Sequence, residues 1–242
     1  MNPFLSIVLP AHNEANRLPG TLETIDDFLC RQSYTAEVLV VENASTDDTL
    51  DLARSYQPLF PYLQVIHEER RGKGLAVRRG MLQATGTYRF ICDVDLSMPI
   101  DQINHFLPPI LPDAPIAIAS REAAGAHRYG EPEYRHFVGR VFNSLVRLMA
   151  LPGLQDTQCG FKCFREDAAR LFACQTINGW TFDVEVLYVA RKKGYRIVEV
   201  PIPWYFNPQS KVRLVRDSFQ MGWDLFRIRW NRLRGIYDRC LL

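Results

Sequence analysis

Residues 88–95 read Tyr-Arg-Phe-Ile-Cys-Asp-Val-Asp, an apolar run that ends in two carboxylates. The run has the length and composition of a buried β-strand. Side chains two apart on a strand point to the same side, so Asp93 and Asp95 leave the strand end together. Such a pair suits a divalent ion held mostly by substrate phosphates, as Mg²⁺ or Mn²⁺ usually is. The stretch therefore indicates an enzyme that acts on a nucleotide diphosphate, with an Asp-rich turn at a strand end as the structural alternative.

Short β-rich runs alternate with helical patterns through the first half of the chain. Strands are predicted at 6–9, 37–41, 63–66, 88–93 and 116–120, and helices at 15–30, 46–56, 74–84 and 101–111. This alternation implies an α/β fold with a mostly parallel, doubly wound sheet, whose ligands bind beyond the carboxyl ends of the strands. That rim is predicted to carry the polar residues that end the strands: His12, Asn13, Glu14, Glu42, Asn43, Asp93, Asp95, Ser120 and Arg121.

The second half of the chain is less regular. Helices are predicted at 134–149 and 182–192, with a strand at 197–200. No internal repeat, low-complexity tract or flexible linker divides the sequence. We therefore expect one catalytic domain, residues 1–210, followed by a C-terminal tail, residues 211–242.

Composition limits the class of protein. The 242 residues are 47% hydrophobic and 23% charged with a formal net charge of +2, which suits one sizeable core and excludes both a disordered chain and a surface that coats nucleic acid. Basic residues are concentrated in the tail. No apolar run reaches the roughly 18–20 residues that span a bilayer. We expect a cytoplasmic protein that is soluble or attached peripherally to the cytoplasmic face of a membrane.

Two familiar site types are excluded by spacing. The six cysteines, at positions 30, 92, 159, 163, 174 and 240, lack the C-x2-C rhythm of a zinc site and are predicted to be reduced, structural thiols. Residues 71–74, Arg-Gly-Lys-Gly, lack the G-x-x-x-x-G-K-[ST] pattern of a phosphate-binding P-loop.

Several ordered motifs resemble those of one enzyme family. Ser6-Ile-Val-Leu-Pro-Ala-His-Asn-Glu14, Val40-Val-Glu-Asn-Ala-Ser-Thr-Asp-Asp-Thr49, Arg71-Gly-Lys-Gly74 and Asp93-Val-Asp95 are similar in order and kind to the family 2 glycosyltransferases, which have the GT-A fold. Asp156-Thr-Gln-Cys-Gly-Phe-Lys162, Gly179-Trp-Thr-Phe-Asp-Val-Glu185, Glu199-Val-Pro-Ile-Pro-Trp204 and Ser210-Lys211 resemble the branch that glycosylates polyprenyl phosphates, nearest to its dolichyl-phosphate glucose synthase type.

The resemblance implies roles for individual residues. Donor binding, most of all of UDP-glucose, is implied for Pro10, Asn13, Glu14, Glu42, Lys73, Asp93 and Val94, with the metal on Asp93 and Asp95. The family usually has Asp-Asp at the second strand end, where this chain has Glu42-Asn43. A carboxylate is kept, one methylene longer. An exposed lysine at a helix start is the structural alternative for Lys73.

The chemistry of the acceptor separates two kinds of site. A sugar hydroxyl needs a general base, whereas a phosphate monoester, with a second pKa of about 6, is already anionic and needs cations to hold it. The second half of the chain supplies such cations. Residues expected to bind the acceptor phosphate or donor diphosphate are Arg121, Arg135, Arg140, Gln158 and Lys211. Asp156 is expected to organise the site rather than to abstract a proton.

These patterns predict a metal-dependent enzyme that transfers a sugar to a polyprenyl phosphate and, as the resemblance implies, inverts the anomeric centre. Three alternatives stay open: a glycan hydroxyl acceptor with Asp156 as base, mannose from GDP-mannose, and a nucleotide-sugar-binding module without catalysis. Asp183 and Glu185 would share one side only if their stretch is extended; at a helix start they would form an acidic cap.

The tail shows the pattern of an amphipathic helix. Its apolar stripe consists of Val215, Phe219, Trp223, Phe226, Trp230, Leu233 and Tyr237, with Arg216, Arg227, Arg234 and Arg239 off the stripe. A basic helix with tryptophans suits the interface of an anionic membrane. The alternative is that the stripe packs onto the catalytic domain, and we expect the helix to do both.

Overall fold

In the computed structural model the chain is described at residues 2–208, 214–238 and 240. The strands are β1 (Leu5–Ala11), β2 (Ala36–Asn43), β3 (Leu63–Glu68), β4 (Tyr88–Ile91), β5 (Ile116–Ser120), β6 (His127–Tyr129), β7 (Lys162–Arg165), β8 (Ile197–Pro201) and β9 (Pro203–Tyr205). The α-helices are α1 (Leu18–Cys30), α2 (Thr49–Tyr56), α3 (Lys73–Gln83), α4 (Glu133–Met149), α5 (Glu166–Ala169), α6 (Phe182–Lys192) and α7 (Leu214–Leu233). Two 3₁₀ helices cover Ile100–Phe106 and Arg170–Cys174.

Seven strands form the central sheet in the order β3-β2-β1-β4-β7-β5-β8. All neighbouring pairs are parallel except those of β7, which runs antiparallel to β4 and to β5. The predicted mostly parallel α/β sheet is therefore confirmed. Because β7 runs the other way, the loop that leads into it lies at the edge where β4 and β5 end. A second small sheet pairs β6 with β9.

Hydrophobic layers cover both faces of the sheet. On β1, Ile7 and Leu9 belong to one buried cluster and Val8 to the other, as alternation along a strand requires. α1 and the first 3₁₀ helix cover the first face, whereas α3, α4 and α6 cover the second. This arrangement leaves the carboxyl ends of the parallel strands open as the place for a site.

Most predicted elements are present with ends shifted by a few residues, but one predicted helix was wrong and one strand of the central sheet was not predicted. The helix expected at 101–111 is a shorter 3₁₀ helix, because Pro108 and Pro109 supply no N–H to extend it. β7 was missed. It is only four residues long and begins with the buried Lys162, which hides the apolar pattern of a strand.

The predicted C-terminal helix is present as α7. Its inner face carries Met221, Leu225 and Ile228, all buried in the same cluster as α4 and α6. The predicted stripe lies on the opposite side: Phe219, Trp223, Phe226, Trp230 and Leu233 are exposed. Packing of that stripe onto the domain is therefore contradicted, except at the buried Tyr237. The side chains of Val215 and Arg216, and all of Arg239 and Lys211, lie outside the described residues.

One cysteine prediction was also wrong. Cys174 and Cys240 form a disulfide across a sequence separation of 66 residues. Spacing could not predict this bond, because only the return of the tail to the second 3₁₀ helix brings the two sulfurs together. Of the other cysteines, Cys92, Cys159 and Cys163 are buried free thiols and Cys30 is exposed.

Candidate active site

A cleft of about 240 Å³ opens at the edge where β4 and β5 end. Its walls come from the loop before β7, the start of α3, the start of α6, and the inward sides of α4 and α7. The residues that line it are Lys73, Asp93, Asp95, Ser97, Met98, Arg121, Glu131, Arg135, Val138, Gly139, Phe142, Gln158, Gly160, Trp180, Phe182, Asp183, Trp204, Phe206, Asn207 and Met221.

The two carboxylates that follow β4 lie at the floor of the cleft. Asp93 Oδ1 is 2.6 Å from Lys73 Nζ, and Asp95 Oδ1 accepts a hydrogen bond from the Ser97 N–H at 3.1 Å. Burial, and after it the charge of Asp93, raises the pKa of the Asp95 carboxyl above its ordinary value. Two hard oxygen donors that repel each other, next to a cleft, form a suitable seat for a divalent cation.

Gly160 explains how closely the chain approaches this pair. A Cβ at position 160 would lie 2.1 Å from Asp93 Oδ2, so a larger residue cannot be placed there without displacing the carboxylate. Gly160 belongs to the loop that leads into β7, which the antiparallel direction of that strand brings to this edge. In the sequence this glycine is one residue of a family motif, and nothing in the local pattern predicts its contact with Asp93.

Lys73 stands at the start of α3 with its ammonium in the cleft. Burial opposes its charged form, but Asp93 and Asp183 more than offset that effect and raise the pKa of the ammonium. Its Nζ also lies 5.2 Å from the centre of the Trp180 ring. Gly72 lets α3 begin here, because a Cβ at that position would meet the Asn178 carbonyl oxygen at 2.5 Å. Gly72 therefore allows the start of α3 to pack closely against the backbone of Asn178.

Asp156 and Arg121 form a buried pair at the side of the cleft. Arg121 Nε lies 2.6 Å from Asp156 Oδ2, its Nη2 lies 3.0 Å from Oδ1, and its backbone N–H also donates to Oδ2 at 3.1 Å. Burial opposes ionisation of Asp156, but Arg121 outweighs it and lowers the pKa of the carboxyl to about 2. Both carboxylate oxygens are therefore engaged, and Asp156 positions Arg121.

Guanidinium groups lie against aromatic rings at one side of the cleft. Arg121 and Arg128 lie 5.3 Å and 5.7 Å from the Trp204 ring, and Arg135 lies 5.1 Å from the Phe206 ring. Glu131 pairs with Arg128. Among the residues that the structure describes, Arg135 makes no ion pair with a carboxylate. Trp204 was missed as a site residue because it lies on the short strand β9.

The end of β2 organises the neighbouring rim. Glu42 accepts hydrogen bonds from the Ser45 N–H and from His67, each at 2.5 Å; burial opposes its ionisation, yet these partners lower the pKa of its carboxyl. Asn43 accepts from the Gly72 N–H at 2.7 Å and so ties β2 to the start of α3. The Glu-Asn pair thus holds the loops that frame the cleft.

The end of β1 is fixed in a similar way. Asn13 has a left-handed backbone with φ of 53° and accepts a hydrogen bond from the Thr46 N–H at 2.8 Å. Asparagine tolerates this conformation better than most residues. The Glu14 carboxylate lies 2.8 Å from Arg17 Nε. Pro10 is the penultimate residue of β1 and is half-buried.

The predicted site residues divide into two groups in the structure. Lys73, Asp93, Asp95, Arg121, Arg135 and Gln158 line the cleft, with Asp156 directly behind Arg121. Pro10, Asn13, Glu14, Glu42, Val94 and Arg140 lie outside that lining. Val94 is buried and its carbonyl accepts from Thr21. Arg140 is exposed on α4, 3.8 Å from Glu122.

Asp183 and Glu185 lie in the first turn of α6, so their stretch is helical. Asp183 faces the buried Lys162 at 3.1 Å, and burial raises the pKa of its carboxyl although Lys162 and Lys73 oppose this. Glu185 accepts from the Thr176 and Ile177 N–H groups, each at 2.8 Å. Both acids therefore bind specific partners. Asp183 also lines the cleft, and its position at a helix start did not predict this.

Comparison with known proteins identifies the family. A family model described as Glycosyl transferase family 2 matches residues 6–172. The chain belongs to this family. Curated relatives of this glycosyltransferase include dolichyl-phosphate beta-glucosyltransferases from Dictyostelium discoideum (34% identical, 98% of the chain and 77% of the relative) and Drosophila melanogaster (36%, 94% and 74%). The predicted family resemblance is confirmed.

Solved structures share the fold of the glycosyltransferase at lower identity. Mannosyl-3-phosphoglycerate synthase from Rubrobacter xylanophilus aligns with a TM-score of 0.69 and 19% identity over 96% of the chain and 74% of that protein. Glucosyl-3-phosphoglycerate synthase from Mycobacterium tuberculosis, crystallised with Mn²⁺ and UDP-glucose, aligns with a TM-score of 0.66 and 17% identity over 95% and 79%. These likenesses confirm the GT-A fold.

Two kinds of feature are absent from the described part of the chain. None of its helices combines the length and apolarity needed to cross a membrane. Across the same residues, no three or more His, Cys, Asp or Glu side chains cluster in a way that could hold a metal ion.

Proposed function

We propose that the protein transfers glucose from UDP-glucose to a polyprenyl phosphate, as the names of its relatives suggest for dolichyl phosphate. The observation that carries the proposal is the cleft itself. It joins a carboxylate pair, Asp93 and Asp95, to the guanidinium groups of Arg121 and Arg135. The first group suits a metal-bound diphosphate, and the second suits an anionic acceptor.

On the donor side, Mg²⁺ or Mn²⁺ fits the residues that are present. Asp93 and Asp95 would hold it, and the lack of a third protein ligand among the described residues agrees with an ion held mainly by phosphate oxygens. When bound, the ion would neutralise charge on the leaving diphosphate. Lys73, 2.6 Å from Asp93, places a second positive charge beside the same phosphates.

On the acceptor side, Arg135 and Arg121 orient the phosphate rather than deprotonate it. The acceptor oxygen attacks C1 of the glucose, the bond from C1 to the diphosphate oxygen breaks, and UDP leaves with that electron pair. An in-line attack inverts the anomeric centre to a β-linked product. No general base is required, because a phosphate monoester is already an anion at neutral pH.

Transfer to a glycan hydroxyl would need Asp156 as a base. Three hydrogen bonds from Arg121 and a pKa of about 2 make this carboxylate a poor proton acceptor at neutral pH. Mannose transfer from GDP-mannose and nucleotide-sugar binding without catalysis are two competing functions. The first predicts turnover with GDP-mannose, and the second predicts nucleotide-sugar binding with no turnover of any donor.

A donor screen tests the proposed function. Purified protein, Mn²⁺ or Mg²⁺ and a short polyprenyl phosphate are incubated with UDP- and GDP-sugars in parallel. We expect lipid-linked glucose from UDP-glucose only, and none with a chelator. Product from GDP-mannose would change the sugar and keep the reaction class. Nucleotide binding without product from any donor would favour the non-catalytic module.

We also propose that the protein binds the membrane peripherally through α7. Five residues of the stripe of this helix are exposed, and Arg227 and Arg229 of the helix, with Arg234 directly after it, are exposed as well. Vesicle sedimentation with and without anionic lipid tests this role.

We propose the cytoplasmic face of the membrane as the side to which the protein attaches. The Cys174–Cys240 bond is unusual in a reducing compartment, so protease protection of the enzyme on sealed vesicles is the direct test of sidedness.

A further inference from the structure

Trp204 connects the hydrophobic core to the cleft. It is the middle residue of β9, and it packs against the buried cluster that contains Val200 and Ile202. These three residues are two positions apart, so one side of the chain carries the core from β8 into β9. The half-buried ring of Trp204 also lines the cleft. The core therefore holds this ring in place at the wall of the cleft.

The register of two sheets brings two arginines to this ring. β5 and β8 are parallel with Ser120 opposite Pro201, so the next residue, Arg121, leaves the sheet beside the segment that enters β9. In the small sheet Arg128 lies directly opposite Trp204. The guanidinium carbons of Arg121 and Arg128 lie 5.3 Å and 5.7 Å from the centre of the ring. Both distances are within the range of a cation–π contact.

The ring and a carboxylate hold Arg121 in different ways. Asp156 accepts hydrogen bonds from Nε and Nη2, and no described residue accepts from Nη1. The carboxylate fixes one edge of the planar group, whereas the Trp204 ring attracts the group as a whole. Arg128 would repel Arg121, but Glu122, 2.6 Å from Arg128, offsets its charge. Two contacts thus fix the Arg121 guanidinium, and its Nη1 remains able to donate to a ligand.

β9 also reaches the donor side of the cleft. The N–H of Tyr205, the residue after Trp204, donates to the Ser97 carbonyl at 2.8 Å. The Ser97 N–H in turn donates to Asp95 at 3.1 Å. The ring beside Arg121 is therefore joined through the backbone to the loop that carries Asp95, and β9 sets the spacing between the two sides of the cleft.

We propose that Trp204 is a positioning residue for the transfer. Its ring holds the Arg121 guanidinium so that Nη1 donates to the phosphate of the acceptor, while β9 keeps this contact at a constant distance from the carboxylate pair. The identity of the acceptor rests on the proposed function. Trp204 acts through Arg121 and not on the reacting atoms. Loss of the ring should therefore weaken acceptor binding and leave the donor site unchanged.

Substitutions at Trp204 test this role. Trp204→Leu removes the ring and Trp204→Phe keeps a smaller one. The control, Tyr129→Leu, removes an exposed ring of the same small sheet that is not part of the cleft lining. For Trp204→Leu we expect KM for a short polyprenyl phosphate to rise about ten-fold, with KM for UDP-glucose within about two-fold of wild type. Trp204→Phe should fall between the two, and the control should match wild type. An unchanged acceptor KM, or equal rises in both KM values, would overturn the role.

A double substitution shows whether the ring acts through Arg121. Arg121→Lys keeps a charge beside Asp156 and removes the planar group. In that background Trp204→Leu should raise the acceptor KM by less than about two-fold. A rise of about ten-fold in both backgrounds would overturn the positioning role. Equilibrium binding of UDP with Mn²⁺ checks the folding of each variant. If Trp204→Leu loses UDP binding, Trp204→Phe takes its place in the comparison.

Failure of the proposed function would give a different result. Absence of product from the wild type with every donor would refute glucosyl transfer. Calorimetric titration with the short polyprenyl phosphate then tests the ring without turnover. Binding about ten-fold weaker for Trp204→Leu would support the positioning role. Equal binding by the two proteins, or no binding by the wild type, would overturn it.

Discussion

At the scale of single residues, the shape of the cleft depends on how closely the backbone approaches the carboxylates of Asp93 and Asp95. Gly160 leaves room for Asp93, and Ser97 donates its backbone N–H to Asp95. The pair therefore stands close together in a partly buried position where like charges repel. Lys73, 2.6 Å from Asp93, offsets part of this repulsion, and a divalent cation bound to both carboxylates would offset more of it.

Asp95→Asn separates the two roles of this pair. The substitution removes a charge that repels Asp93, so we expect thermal stability of the metal-free protein to be unchanged or slightly higher. Turnover should fall about 100-fold or more, because one of the two carboxylates proposed to hold the metal is lost. Thermal unfolding and lipid-linked product formation measure the two effects. A variant with full activity would remove the metal proposal.

Asp156 makes stability depend on pH in a defined direction. Its pKa in the folded protein, about 2, is below the ordinary value of 3.8, so the pair with Arg121 contributes stability above about pH 4. That contribution is lost as the pH falls through about 2.

Asp156→Asn should test this pair. It leaves the buried Arg121 without a counter-charge and should lower the free energy of unfolding by about 3 kcal/mol at pH 7. Between pH 5 and pH 2 the gap to wild type should narrow by roughly 2 kcal/mol, because the wild type then loses the same charge. Urea unfolding at several pH values measures the gap. A gap that is constant with pH would contradict the assignment.

At the scale of elements, α7 has two apolar faces, one buried and one exposed. Leu225 and Ile228 complete the core beneath α4 and α6, whereas Trp223 and Phe226 face outward. Sequence periodicity alone favoured the outward stripe, because its aromatic residues are larger and more regular. We propose that residues 1–210 carry out catalysis and that residues 211–242 contact the membrane. We also propose that both parts fold as one unit.

Leu225→Ala and Trp223→Ser on α7 form a matched pair. Removing the buried Leu225 side chain should cost about 2–5 kcal/mol of unfolding free energy, and the exposed Trp223→Ser should cost less than about 1 kcal/mol. Urea denaturation measures both. Equal, small losses would show that the tail folds apart from the catalytic domain.

At the scale of the whole molecule, the tail is fastened to the segment that leads into α6. Thr181 donates to Asp224 at 2.9 Å, Asn231 donates to Thr176 at 3.0 Å, and Tyr237 donates to Glu185 at 2.7 Å. The disulfide joins the same regions. The segment between Thr176 and Thr181 carries Trp180, which lines the cleft. α7 therefore supports a wall of the cleft.

Cys240→Ser should therefore weaken the whole fold. The disulfide links residues 66 positions apart and so restricts the unfolded chain. Its loss should lower the free energy of unfolding by about 2–4 kcal/mol. Cys30→Ser, at an exposed free thiol, is the control and should be neutral. Thermal unfolding with and without reductant measures the effect. Stability of the wild type that is insensitive to reductant would contradict a structural role for the bond.

The sequence by itself determined the α/β class, the family and the strand ends that carry Asp93, Asp95 and Arg121. These features depend on local periodicity and on short motifs, which residues close in the chain express. It also predicted α7, because a helical stripe repeats every three or four residues.

Only the tertiary structure decided which residues meet. The pairing of Cys174 with Cys240, the engagement of Asp156 by Arg121 and the approach of Gly160 to Asp93 join residues that are 66, 35 and 67 positions apart. It also decided that the α7 stripe faces outward beside α4. Such contacts depend on how strands and helices pack, and no local pattern records the partner that each side chain will find.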